Sequence, residues 1–330
     1  MDSRRTAARL IVPLSYQPSV ASATAYAPVN IALIKYWGKR TIPLHLPLTD
    51  SFSITIDAGT TTTVTQSTLS DTVSLNGTPL DPSSPFYLRL TTFLDLVRPH
   101  PAFRFAITTQ NDIPTAAGLA SSASGFAALV LALNRFFSWN LSTQQLSCLA
   151  RLGSGSACRS IQAGFSHWKR GTRADGLDSY AEKVPAEWPE LAFGILLLSS
   201  KQKTIGSSDA MRRTVDTSPL FPLWASCVER DLEQLLKSLE GNDFDLFGRT
   251  IEQNALTMHA TMHASWPPIV YWQPETLSAL HAIFKARADG LPLYATMDAG
   301  PNVKLFFQKN HTEEVVKLFL DIQLTKLTLH

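Results

Sequence analysis

A helix with no polar face can only lie inside a larger fold, and residues 126–137, apolar on nearly every side as far as Asn134, read as such a helix. The chain reaches it through residues 113–125, IPTAAGLASSASG, where small residues leave the backbone unobstructed. Two uses fit that combination. Alanine and glycine let a buried helix pack closely on its neighbours. Equally, exposed N–H groups at a helix N-terminus, with the hydroxyls of Ser121, Ser122 and Ser124 beside them, suit a polyphosphate ligand. Neither GxxxxGK[ST] nor GxGxxG after a strand occurs, which excludes a Walker loop and a dinucleotide fingerprint.

The chain has enough apolar material to enclose such a helix: 330 residues, 45% of them hydrophobic, suit two moderate domains. Charge is balanced, with 29 basic and 27 acidic residues and no long blocks, so no nucleic acid or membrane partner is expected. No apolar run approaches the roughly 18 residues that cross a bilayer, and a soluble protein is expected. Cys148, Cys158 and Cys227 are odd in number and far apart. That spacing argues against a disulfide framework or a thiolate zinc site and favours a reducing, cytoplasmic setting. Residues 1–20, with three arginines and no sustained apolar stretch, read as a mostly surface extension and not as a secretory signal.

Residues 51–63 alternate Phe52, Ile54 and Ile56 with polar neighbours and run into threonines, the pattern of a half-buried strand. Val73 and Leu75 precede Asn76-Gly77, a pair that tolerates positive φ at both centres of a tight hairpin. Phe103, Phe105 and Ile107 predict another strand, and Ser142 or Thr143 is the expected N-cap of a helix running toward Leu152. The texture changes beyond Trp188-Pro189, so the domains are expected at 1–188 and 189–330. In the second, residues 191–198 read as a strand. Val228, Leu232, Leu235, Leu236 and Leu239 recur at helical spacing, as do Leu277, Leu280 and Ile283, with Pro274 near that helix's start and Gly290 past its end. Residues 294–307 read as a hairpin turning at 299–302. Strands and helices mix without regular βαβ alternation, which predicts a two-domain α+β protein.

A second glycine- and serine-rich segment, RLGSGSACRS at residues 151–160, carries Arg159, whose planar guanidinium suits bidentate contact with carboxylate or phosphate. The other reading of Arg159 is a surface arginine or a helix C-terminal partner. His259 and His263 have zinc-chelating spacing, but Ala260 stands where HExxH requires glutamate, so they are read as structural histidines.

Four segments in order, APVNIALIKYWGKR (27–40), IPTAAGLASSASG, RLGSGSACRS and MDAGPN (297–302), resemble the mevalonate diphosphate decarboxylases of the GHMP kinase superfamily. The resemblance implies an ATP-binding N-terminal domain of the ribosomal protein S5 domain 2-like type, a ferredoxin-like C-terminal domain, a site in the cleft between them, and a homodimer. It further implies that ATP and Mg²⁺ are used to phosphorylate the tertiary 3-hydroxyl of mevalonate 5-diphosphate. Loss of phosphate and CO₂ then leaves isopentenyl diphosphate, a step of isoprenoid synthesis.

Carried onto this sequence, the resemblance makes Asp298, Lys35 and Arg159 catalytic, with Arg159 also holding the substrate carboxylate. Asn30, Tyr36, Trp37, Lys39, Ser154 and Ser156 would bind substrate. Pro114, Ala117, Gly118, Ser121, Ser122 and Ser124 would bind the nucleotide, joined by Lys203, Ser207 and Ser208 from SSKQKTIGSSDAM (199–211), where Ala210 replaces an expected glycine. No side chain is assigned as a metal ligand. A carboxyl group of ordinary pKa, about 3.9, cannot fully deprotonate a tertiary alcohol beforehand, so Asp298 is expected to orient the hydroxyl and take its proton late. An Asx-type turn residue is the alternative reading of Asp298.

Rival functions are a phosphomevalonate decarboxylase, a mevalonate 3-kinase-like enzyme and a catalytically silent metabolite-binding homologue. Lys35 and Asp298 occurring together disfavour the kinase-only version, and a silent homologue is expected to lack at least one of them.

Overall fold

The computed structural model describes residues 3–112, 121–199 and 204–328. In the first half, α1 (Ser3–Ile11) precedes β1 (Ser22–Ile34), the hairpin β2 (Lys39–Thr41) and β3 (Leu46–Pro47), and β4 (Ser51–Ser67). Next come β5 (Thr72–Leu75), β6 (Thr78–Pro79), α2 (Pro85–Val97), β7 (Arg104–Asn111), α3 (Ser121–Phe137) and α4 (Thr143–Gly153). A 3₁₀ turn (Gly155–Ser160) leads to β8 (Phe165–Trp168) and β9 (Ala181–Val184). The second half runs β10 (Leu191–Leu196), α5 (Ser207–Thr217), α6 (Trp224–Gly241), α7 (Phe244–His263), α8 (Pro274–Ala288), β11 (Leu293–Thr296) and β12 (Val303–Gln308). It closes with α9 (Thr312–Leu318), β13 (Ile322–Leu324) and β14 (Leu327–Thr328).

Among the described residues the strands form two main sheets. In the first, β4 is the hub: β1 pairs with it antiparallel along most of its length, β7 pairs with its C-terminal half and β8 with its N-terminal end. The order β6-β5-β7-β4-β8-β9 completes the sheet, with β5 and β7 its parallel pair. The second sheet, β11-β12-β10-β13, is antiparallel throughout. β14 then leaves it and pairs with β4, so the last strand returns to the first sheet.

Period-two alternation explains how the second sheet is covered. Val303, Leu305 and Phe307 point to one face, where Leu280 and Ile283 of α8 and Val315 of α9 meet them. Phe306 points to the other, with Phe193 and Ile195, against Phe247 and Ile251 of α7. That second cluster continues without a break into Phe52, Ile54 and Ile56 of β4 and Trp37, so the two units share one apolar core. Trp188 lies inside it, its ring 5.1 Å from that of Phe247. Each such side chain contributes about 2–3 kcal/mol by leaving water, which makes the junction a packed seam and not a loose linker.

Most local expectations appear as elements. Asn76 and Gly77 have φ of 50° and 80° in the β5–β6 turn. Ser142 caps α4 in a reciprocal capping box with Gln145. Helix α3 is buried around nearly its whole circumference, and residues 294–307 form the β11–β12 hairpin. Two readings need correction. β4 is buried on both faces over most of its length, not half-buried, because its second face carries small hydroxyl residues on which α3 lies: Thr60 bonds Ser124 at 2.7 Å, and Thr62 bonds Thr109 of β7 at 3.0 Å. The N-terminal segment, though mostly exposed, contains α1, whose Ala7, Ala8 and Ile11 are buried in the cluster that holds α2 and α4.

Candidate active site

A cleft of about 430 Å³ opens between the two units, walled by Asn30, Ser154 and Arg159 from the first and Ser207, Met258 and Asp298 from the second. Its deepest feature is a buried charge cluster. β1 stops at Ile34, and the next residue, Lys35, is 1% exposed. The Lys35 backbone N–H donates to Asn254 Oδ1 at 2.8 Å, and its Nζ donates to the Ala32 carbonyl at 2.8 Å and to Asp298 Oδ1 at 3.0 Å.

Asp298 follows β11 in the turn that reverses the chain into β12, which holds its carboxylate at the cleft wall. Lys304 of β12 reaches back and donates to Oδ2 at 2.5 Å. Both lysine side chains are nearly inaccessible, at 2% and 3%, while the Asp298 side chain keeps 33% of its surface open to the cleft. His259 of α7 donates from Nε2 to the Asp298 carbonyl at 3.1 Å and fixes the turn from behind.

The electrostatics follow from this enclosure. Burial alone would raise the pKa of the Asp298 carboxyl, but the charges and hydrogen bonds of Lys304 and Lys35 outweigh it and hold the group well below the usual carboxylate range. Burial pulls the Lys35 ammonium down to about 8 against the opposing attraction of Asp298. His259, desolvated and facing His263 and Lys35, is lowered to about 3 and is neutral at pH 7.

Arg159, 3% exposed in the 3₁₀ turn, donates from Nε to Asn30 Oδ1 at 3.2 Å and from Nη1 to Ser51 Oγ at 2.7 Å, with its guanidinium 5.9 Å from the Trp168 ring. Asn30 in turn donates to Ser160 Oγ at 2.7 Å and to the Ser156 carbonyl at 3.2 Å. Its amide thereby holds Arg159 and the turn while bordering the cleft. Gly155 is required here: a Cβ would stand 2.8 Å from Tyr36 Oη, displacing the ring that packs on Trp168 at 4.6 Å.

Lys39 lies at the outer wall and donates to Ser208 Oγ at 3.0 Å. Ser207 and Ser208 open α5, whose N-cap, Gly206, offers no side-chain cap, so the first N–H groups of this helix are available to an anion. Ser122 and Ser154 face each other at 3.4 Å on the same wall. Trp37, although it borders the cleft, is 2% exposed and belongs chiefly to the core. Ser124 does not reach the cleft: it is fully buried, and its hydroxyl is spent on Thr60. Pro114, Ala117, Gly118 and Lys203, and the Ser121 side chain, fall outside the described residues.

Three cations thus surround one carboxylate, and the cleft adds Lys39, Arg89, several hydroxyls and a helix N-terminus, an arrangement suited to a polyanion. Residues 27–181 match the diphosphomevalonate decarboxylase-like N-terminal domain, and residues 194–327 match the mevalonate 5-diphosphate decarboxylase C-terminal domain. The chain belongs to the diphosphomevalonate decarboxylase family. It is 38% identical to the diphosphomevalonate decarboxylase of Aspergillus fumigatus, over 90% of this chain and 79% of that protein. It is 36% identical to the human enzyme, over 92% and 81%. Among solved structures, the mevalonate diphosphate decarboxylase from Enterococcus faecalis superposes with a TM-score of 0.87 at 41% identity, covering 94% of this chain and 97% of that one. A structure of MDDEF in complex with MVAPP, AMPPCP and magnesium gives 0.88 at 41% identity, with the same coverage.

Sequence reasoning missed four residues that hold Lys35 and Asp298 in place from behind the cleft: Lys304, His259 in its bond to the Asp298 turn, Asn254, and Asp231, which accepts from Asn254 Nδ2 at 2.9 Å. Lys304 left one signal, a lone charge in the otherwise apolar strand VKLFF.

Proposed function

We propose that this protein is an ATP-dependent diphosphomevalonate decarboxylase that converts mevalonate 5-diphosphate to isopentenyl diphosphate, ADP, phosphate and CO₂. The observation that carries the reading is the Lys35–Asp298 pair, 3.0 Å apart in the cleft, with Arg159 buried in the same wall.

Asp298, hydrogen-bonded on both oxygens, is too weak a base to ionise an alcohol outright. It orients the 3-hydroxyl toward the γ-phosphoryl group and receives its proton as the O–P bond forms. Arg159, fixed by Asn30 and Ser51, pairs with the substrate carboxylate. When the C3–O bond breaks, phosphate leaves with the electron pair. The C1–C2 bonding electrons then become the C2–C3 double bond, and CO₂ is released. Ser154, Ser156 and Lys39 hold the 5-diphosphate side, with Tyr36 and Trp37 shaping the wall. The nucleotide lies along Ser122 and the α5 N-terminus at Ser207 and Ser208.

Among the described residues no group of three or more His, Cys, Asp or Glu is placed to hold a metal ion. The hydroxyls of Ser122 and Ser208 fit an ion that arrives on phosphate oxygens and keeps several waters, as Mg²⁺ does. Mg²⁺ would supply neutralisation of the triphosphate charge.

The units divide at residues 188 and 189. A homodimer, usual in the family, is part of the same proposal and is checked by sedimentation. Three unpaired cysteines support a reducing, cytoplasmic setting.

The test is to incubate purified protein with ATP, Mg²⁺ and either mevalonate 5-diphosphate or mevalonate 5-phosphate, following ADP and CO₂ separately. Equal release of both from the diphosphate is expected. ADP without CO₂ would mean a kinase, turnover of the monophosphate alone would reassign the substrate, and neither product would mean a silent homologue.

A further inference from the structure

Lys35 already supplies the opposite charge that a buried carboxylate requires. A second ammonium, Lys304, is nonetheless buried beside Asp298 in an apolar strand, across the hairpin from Thr296 and flanked on the far side by Ile195. Burying it costs several kcal/mol of desolvation, and an apolar side chain of similar length would satisfy the packing as well or better. Lys304 is therefore poorly explained by stability. Its geometry offers another account. An ionised carboxylate has about four acceptor positions on two oxygens, and held by one lysine it can still rotate about its Cβ–Cγ bond.

We propose that Lys304 is a positioning residue for the reaction: by bonding Asp298 Oδ2 while Lys35 takes Oδ1, it locks the carboxylate in one orientation and aims its remaining lone pairs into the cleft. This rests on the function proposed above and extends it to a residue that contacts no substrate itself. A carboxylate so held is pre-aligned for the hydroxyl it must orient, and positioning is the main catalytic lever in phosphoryl transfer. The groups facing Asp298 are Lys35 after β1, Lys304 on β12, Arg159 in the 3₁₀ turn and His259 on α7. Of these, Lys304 and Lys35 hold the carboxylate ionised.

The experiment compares wild type, Lys304→Met and Lys304→Arg in steady-state decarboxylation of mevalonate 5-diphosphate at pH 7. The methionine retains the length and apolar stem, and circular dichroism with thermal melting establishes that it folds. Lys304→Gln replaces it if it does not. Loss of kcat by about 10- to 100-fold in the neutral variant is expected, with KM changed less than about threefold. Arginine, which can still donate to Asp298 Oδ2, should restore most of kcat. A purely structural lysine would instead lower the fraction of protein that binds mevalonate 5-diphosphate, measured by titration calorimetry, and leave kcat per binding-competent site unchanged. An unchanged kcat per competent site in folded Lys304→Met, or a loss confined to KM, overturns the proposal. Wild-type turnover is the control: if wild type releases no CO₂, the functional reading fails, whereas an active wild type with an indifferent Lys304→Met variant sinks this inference alone.

Discussion

Asn254, on α7 of the second unit, accepts the backbone N–H of Lys35 at 2.8 Å, a bond between residues 219 positions apart. Its own amide donates to Asp231, which is fully buried on α6 and paired with Arg230. A line of hydrogen bonds thus runs from the helices of one unit into Lys35 of the other. Asn254→Ala would strand the buried Lys35 N–H and leave Asp231 Oδ2 without its donor, so a loss of about 1–3 kcal/mol or more in stability is expected. Chemical denaturation measures it. Because Lys35 loses its anchor, kcat should also fall, by about tenfold or more.

Lys35 makes the enzyme sensitive to base. Its ammonium, lowered by burial to about 8, deprotonates as pH rises through that value, which removes one partner of Asp298 and one charge facing the substrate. The value of kcat/KM for mevalonate 5-diphosphate should therefore decline above about pH 8. In Lys35→Arg, whose side chain stays protonated, the decline should be absent, although the plateau is lower. A basic limb that persists in the arginine variant assigns it to another group.

What could be read from the chain before its folding was the chemistry carried by local segments. Lys35 stands beside two aromatics, Arg159 follows a glycine-serine run, and Asp298 precedes a turn, so each announces itself within a few residues. Lys304 and Asp231 do not. The first looks like a stray charge in a strand, and only sheet register brings it across to Asp298. The second sits among Glu229, Arg230 and Glu233, where a solvated helix face is the natural reading, and only the packing of α6 against α7 buries it. Ser124 erred in the opposite direction: it belongs to the serine run by sequence, but the helical turn directs its hydroxyl at Thr60. The burial of both faces of β4 was hidden for a similar reason, since small hydroxyl residues read as solvent-facing until a helix is known to cover them.

His259 should lower stability in acid. It is held neutral in the fold at about 3, whereas in the unfolded chain it titrates near 6.5. Between those values the unfolded state binds the extra proton, so stability present above pH 6.5 is lost as pH falls through this window. The loss is about 1.4 kcal/mol per pH unit from this one group. In His259→Asn, the slope of unfolding free energy against pH from 6.5 to 4 should be shallower by that amount, although the variant starts less stable. Parallel curves for the two proteins would refute the assignment.

Arg159→Lys tests planar recognition of the substrate carboxylate. Lysine retains charge but cannot bond Asn30 and Ser51 while presenting a fork to the cleft, so CO₂ release should fall by about 100-fold or more. ADP formation should fall less if phosphorylation tolerates a looser carboxylate. Unchanged CO₂ release would remove Arg159 from the mechanism.

The return of β14 to β4 carries a mechanical consequence. The polypeptide crosses from the first unit to the second at residues 185–190 and crosses back between β13 and β14, where Asp57 N–H also meets the Lys326 carbonyl at 2.8 Å. Two backbone tethers therefore stitch the halves along one seam. That stitched edge resists separation of the halves, and neither half, expressed alone, would carry a complete set of strand partners.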